Sequence, residues 1–107
     1  MRLELLYFEG CPGYEALLPA LRELLAARHG EDEVELRRVE SPEAAARERF
    51  LGSPTLRING EDVEPGASAR EDFGLKCRLY PGEDGYARTP PQEWVRAALQ
   101  RAGRLSG

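Results

Sequence analysis

A chain of 107 residues has the length of one domain. At that size it buries roughly 65% of its unfolded surface, enough for a core without staples. Its composition, 41% hydrophobic and 32% charged with a net charge of −4, is that of an ordinary soluble globule. The 15 basic residues alternate with acids, as in Glu48-Arg49 and Arg70-Glu71, so no basic stripe invites nucleic acid. No apolar run reaches membrane-spanning length, and Met1 to Leu6 carries charges where a secretion leader needs an apolar core. The chain therefore reads as a single domain over 1–107, in a bacterial cytoplasm, with neither nucleic acid nor membrane as partner. In that reducing compartment two cysteines read as reactive or ligand thiols rather than a staple.

Residues 2–8 are short, apolar and bounded by Gly10, the pattern of a buried strand. Cys11 follows directly, in Phe8-Glu9-Gly10-Cys11-Pro12-Gly13-Tyr14. At a strand-to-helix junction its sulfur lies near the first unpaired N–H groups of the helix, which favour the thiolate. The helix is predicted over 12–29: Leu17, Leu18, Leu21, Leu24 and Leu25 recur at helical spacing, and Gly30 stops it. Pro19 lies inside this pattern and is expected to kink the helix.

Val34, Leu36 and Val39 alternate with charges, predicting a strand near 33–39. Ser41-Pro42 opens a second helix, with Ser as N-cap and Pro at the first helical position, running through Ala44 to Phe50 and ending by Gly52. Thr55 to Ile58 is a third strand. Asn59-Gly60 is a hairpin signal, with Glu61-Asp62-Val63 as the return strand. Residues 64–89 are punctuated by Pro65-Gly66 and Pro81-Gly82 and predict no firm element beyond an extended Cys77 to Tyr80. Thr89 with Gln92 reads as a capping box around Pro90, opening a last helix that Gly103 closes. Helix joins the first two strands, so they should be parallel. The hairpin adds antiparallel strands.

This order resembles the thioredoxin fold. Cys11-Pro12-Gly13-Tyr14 stands in the place of that family's Cys-x-x-Cys motif. Pro19 falls where many thioredoxins carry a helix-kinking proline, and Gly52-Ser53-Pro54-Thr55 falls where the family carries its cis-proline. The resemblance covers residues 2–63, with the last helix matching loosely. It implies an α/β fold with a mixed four-stranded sheet in the order β-α-β-α-β-β-α and helices on both faces. It also implies that Cys11 is catalytic, that Pro12, Gly13, Tyr14, Ser53, Pro54 and Thr55 contact substrate, and that the Ser53 backbone pairs with an extended peptide. Tyr14 occupies the second cysteine's place, so ordinary dithiol resolution within the motif is not expected.

Residues 64–105 are similar in layout to the end of organomercurial (alkylmercury) lyases, through Cys77-Arg78-Leu79-Tyr80 and Thr89-Pro90-Pro91-Gln92-Glu93-Trp94. That similarity implies two thiol roles, for Cys11 and Cys77. The aspartate those enzymes use would fall near Tyr14, which is not an acid, and lyase activity is not expected.

Each candidate has a plainer counterpart. Cys11 and Cys77 also suit small buried hydrophobes. Pro54 could open a strand in the trans form, and Tyr14 could simply pack. His29 reads as a helix C-terminal residue favoured by the dipole rather than a ligand. One histidine and two cysteines do not complete a structural zinc site, and no metal or cofactor is expected. Three functions follow. The first is a thiol oxidoreductase in which Cys11 attacks a protein or small-molecule disulfide and Cys77 or an outside thiol resolves the product. The second is a soft-metal (mercury or copper) or small-ligand binding protein. The third is a non-catalytic interaction module. The first is favoured; oligomeric state is left open.

Overall fold

The computed structural model describes residues 2–27, 34–83 and 85–106, the last three by backbone alone. His29 and Gly30, which the sequence placed at the end of the first helix and as its stop, lie outside the described residues. The described chain is mixed α/β. Strand β1 (Leu3–Tyr7) leads into helix α1 (Pro12–Ala26), then β2 (Val34–Arg38), α2 (Pro42–Arg47), β3 (Thr55–Ile58) and β4 (Glu61–Asp62). A 3-10 turn at Ala67–Ala69, a hairpin of β5 (Tyr80–Gly82) and β6 (Gly85–Ala87), and helix α3 (Gln92–Ser106) complete the order.

The main sheet has the order β2-β1-β3-β4. β1 runs parallel to β2, with Leu3 opposite Val34 and Leu5 opposite Leu36, as a helical crossover demands. It runs antiparallel to β3, with Leu3 opposite Ile58 and Leu5 opposite Leu56. Asn59 and Gly60 both take positive φ, 53° and 82°, in the tight turn to β4 that their pairing predicts.

Alternation along β1 decides which helix covers which face. Leu3 joins Leu56 and Ile58 in a core with Leu21 and Leu25 of α1 and Val95, Ala98, Leu99 and Ala102 of α3. Leu6 points the other way and packs with Val39, Ala45 and Phe50 beneath α2. Helices therefore cover both faces. Leu5, Leu6, Leu56 and Leu99 are fully buried, and each contributes roughly 1.5–3 kcal/mol. Glu4 is buried too, on the α2 face. Its carboxylate accepts from Arg37 at 2.8 Å and from Arg2 at 3.3 Å, which satisfies an otherwise costly buried charge.

Four helix boundaries differ from expectation. α1 ends at Ala26, with Ala27 as its cap. α2 ends at Arg47 and does not reach Phe50. Its stop is Arg49, at φ 54°. There Arg49 N–H donates to the Ala46 carbonyl at 3.2 Å and Phe50 N–H to the Ala45 carbonyl at 2.8 Å. That is a Schellman ending, and Phe50 packs back on Ala45 to close it. α3 starts at Gln92, so Thr89 does not cap it. Pro91 disfavours helical backbone at Pro90, which moves the start beyond both prolines. α3 then runs through Gly103, whose lone cost of about 1 kcal/mol does not end a helix. The Ser41 cap is as expected, its Oγ accepting from Ala44 N–H at 3.0 Å. Pro19 lies inside α1.

Candidate functional site

β1 delivers the chain to Gly10, which turns at φ 87°, and Cys11 follows in extended backbone as the N-cap residue of α1. Pro12 opens the helix, where its missing N–H costs nothing. The Cys11 side chain makes no capping bond. Its Sγ lies 3.4 Å from the Ser53 carbonyl oxygen, to which the thiol donates. Cys11 is 1% exposed, Cys77 is exposed, and neither is in a disulfide.

The loop that presents Ser53 is held tightly. The Ser53–Pro54 bond is cis, as the resemblance implies. Ser53, Pro54 and Thr55 are all buried. Ser53 Oγ accepts from Phe8 N–H at 3.4 Å, and Thr55 Oγ1 donates to the Gly52 carbonyl at 2.6 Å. Gly13 lets α1 approach this loop: a Cβ there would sit 2.8 Å from Pro54 Cδ and 2.5 Å from the Arg88 carbonyl oxygen. Gly52, at φ 123°, lacks room for a side chain as well. Its Cβ would meet the Lys76 carbonyl and Arg78 Cβ, each at 3.0 Å.

Those last two neighbours belong to the segment after Gly74. The Ser53 N–H donates to the Lys76 carbonyl at 2.8 Å, and Arg78 N–H donates to the Ser53 carbonyl at 2.9 Å. Together they form a parallel bridge in which Ser53 is the partner of Cys77. The Ser53 carbonyl thus receives two donors, the Cys11 thiol and the amide directly after Cys77. The main-chain groups expected to face an outside peptide are occupied by the protein's own chain.

No family model matches the chain, and no curated protein and no solved structure matches it.

Arg78 anchors the segment. Its guanidinium is 1% exposed and clasps Asp62 with two bonds, at 2.8 and 3.0 Å. It also donates to Glu64 at 3.2 Å and to Thr55 Oγ1 at 3.0 Å, and lies 4.8 Å from the centre of the Tyr80 ring. A bidentate, desolvated pair of this kind is strong but costly to break. Tyr80 is fully buried, and its hydroxyl donates to the Pro54 carbonyl at 2.5 Å. Burial pushes its phenol well above the ordinary value of 10.0. In the sequence both stand within Cys77-Arg78-Leu79-Tyr80 but carry no role of their own there. The only available signal was their closeness to Cys77, since their partners at Asp62 and Pro54 are remote along the chain.

The structure thus gathers Cys11, Gly13, Ser53, Pro54, Thr55 and the backbone of Cys77 around one loop. Tyr14 packs on an aromatic neighbour. Its ring stacks on Tyr7, with centroids 3.9 Å apart and planes 7° from parallel. Burial, and then Tyr7 itself, raise its pKa above the phenol's usual 10.0. Among the described residues no three histidine, cysteine or acidic side chains converge to hold a metal, and no helix is long and apolar enough to cross a membrane.

Proposed function

We propose that this chain is a thiol–disulfide oxidoreductase on a thioredoxin-like scaffold, with Cys11 as nucleophile and Cys77 as resolving thiol. The parallel β1–β2 pair joined by α1, the antiparallel β3–β4 hairpin and a cis-proline loop against the start of α1 support the scaffold. The single observation that carries the chemistry is the Ser53 carbonyl, which binds the Cys11 thiol on one side and the Cys77–Arg78 peptide on the other.

The Cys11 thiolate attacks one sulfur of a substrate disulfide. A Cys11–substrate disulfide forms, and the other substrate sulfur leaves as a thiolate that takes up a proton. The Cys77 thiolate then attacks Cys11 Sγ, forming the Cys11–Cys77 disulfide and releasing the second substrate thiol. The substrate gains two electrons and the protons of both cysteines. An outside dithiol returns the protein to its reduced form by the same exchange.

The test is reduction of hydroxyethyl disulfide with an outside dithiol. Wild-type protein should turn over, and Cys11→Ser should fall to the uncatalysed rate. With equimolar disulfide and no dithiol, Cys77→Ser should accumulate the mixed disulfide at Cys11, visible by mass. Full turnover by Cys11→Ser rejects the proposal.

A further inference from the structure

We infer that residues 74–80 form a strap that fills the Ser53 pairing edge as a built-in peptide, and that an outside disulfide reaches Cys11 when the strap lifts. The inference rests on the proposed reading of Cys11 as the reacting thiol.

The strap is attached at both ends. Gly74 N–H donates to the Phe50 carbonyl at 3.0 Å, and Tyr80 is buried against Pro54. Between these points it satisfies both main-chain groups of Ser53. An extended peptide laid along Ser53 would need the same two groups, so the strap and a peptide exclude each other. Cys11 has almost no exposure while this arrangement holds.

The middle of the strap is not core. Leu75 and Leu79 are 37% and 58% exposed, and Lys76 and Cys77 are exposed as well. Little apolar surface would be uncovered on lifting residues 75–79. The one buried side chain there is Arg78, fastened by Asp62 and Glu64. Its fastening is incomplete: the Arg78 Nε is buried with no hydrogen-bond partner among the described residues, and water would supply one on release. Segments that bury few apolar contacts open well below the free energy of global unfolding. The carboxylates of Asp62 and Glu64 thus set how often the strap opens.

The test combines amide hydrogen exchange with alkylation of Cys11 by iodoacetamide, in a Cys77→Ser background so that one thiol is read. The Ser53 and Arg78 amides should exchange about tenfold or more faster than the amides of β1, marking a separate opening. Asp62→Asn should raise both that exchange and Cys11 alkylation by about tenfold, with β1 unchanged. Glu64→Gln should act in the same direction more weakly, and serves if Asp62→Asn does not fold. Strap amides that exchange in step with β1 overturn the inference, as does faster strap exchange with no gain in Cys11 alkylation. If the strap gates alkylation as expected while Cys11→Ser keeps full disulfide turnover, the strap inference stands and the oxidoreductase reading falls.

Discussion

Ser53 and Cys77 are bridge partners, joined through the Ser53 N–H to the Lys76 carbonyl at 2.8 Å and the Arg78 N–H to the Ser53 carbonyl at 2.9 Å. Cys11 donates to the same Ser53 carbonyl. Two cysteines 66 positions apart in the chain thereby share one backbone residue as neighbour. The exposed thiol belongs to the strap and the buried one to the helix start. Their unequal exposure predicts two-phase alkylation by a neutral reagent, with Cys77 modified before Cys11. Peptide mapping at early time points reads this directly, and label appearing first on Cys11 would contradict the geometry.

Gly13→Ala should destabilise the fold. Its new methyl would stand 2.5 Å from the Arg88 carbonyl and 2.8 Å from Pro54 Cδ, both in fixed positions. Overpacking of this kind costs about 1–3 kcal/mol. Gly74→Ala is the control. A Cβ there meets nothing within 4 Å and the backbone does not need positive φ. It should be neutral or gain up to about 1 kcal/mol through the unfolded chain. Urea midpoints of the two variants should move apart.

Tyr80→Phe keeps the ring and its edge contact with Trp94, at 6.2 Å and 71°, but strands the Pro54 carbonyl. Leaving that buried acceptor unpaired should cost about 1–3 kcal/mol. The same phenol sets an alkaline limit. Its folded pKa is raised by burial, so its contribution is complete below the unfolded value of 10.0 and is lost as pH climbs beyond it. Thermal unfolding followed from pH 8 to 11 should show wild-type stability dropping above about pH 10, and Tyr80→Phe dropping less.

Acid acts at the root of the strap. The hydrogen bond from Arg70, and then that from Lys76, hold the Asp72 carboxyl well below its usual 3.8. A depressed carboxylate stabilises fully above its unfolded pKa, so this contribution is present at neutral pH and is lost as pH falls below about 4. Asp72 is half exposed, and water screens the pair. Its worth is therefore about 0.2–1 kcal/mol. Between pH 7 and pH 3 the wild type should lose part of that amount more stability than Asp72→Asn. Equal losses would show that the pair contributes nothing.

Local sequence determined much of the frame. The apolar run before Gly10, the leucine spacing of α1, Ser41 ahead of Pro42, and Asn59-Gly60 each specify their element through interactions within a few residues. Cys11 and Pro54 were legible for the same reason, since a helix start and a pre-strand proline are local features. Helix ends were less legible. Arg49 stops α2 because Phe50 finds Ala45 to pack on, and that packing depends on the sheet beneath. Of the strap, only the extended stretch from Cys77 to Tyr80 was legible. Arg78 and Tyr80 carry no periodic signal, and their meaning lies in Asp62, Glu64 and the Pro54 carbonyl, which come near only when the chain closes. So the sequence by itself determined a mixed α/β frame with a cysteine at the first helix start. Only the tertiary structure decided that Cys77 lies beside Ser53 and Tyr14 lies on Tyr7. Long-range backbone pairing and a buried charge clasp seat Cys77, and neither leaves a local trace in the residues that form it, whereas ring stacking seats Tyr14.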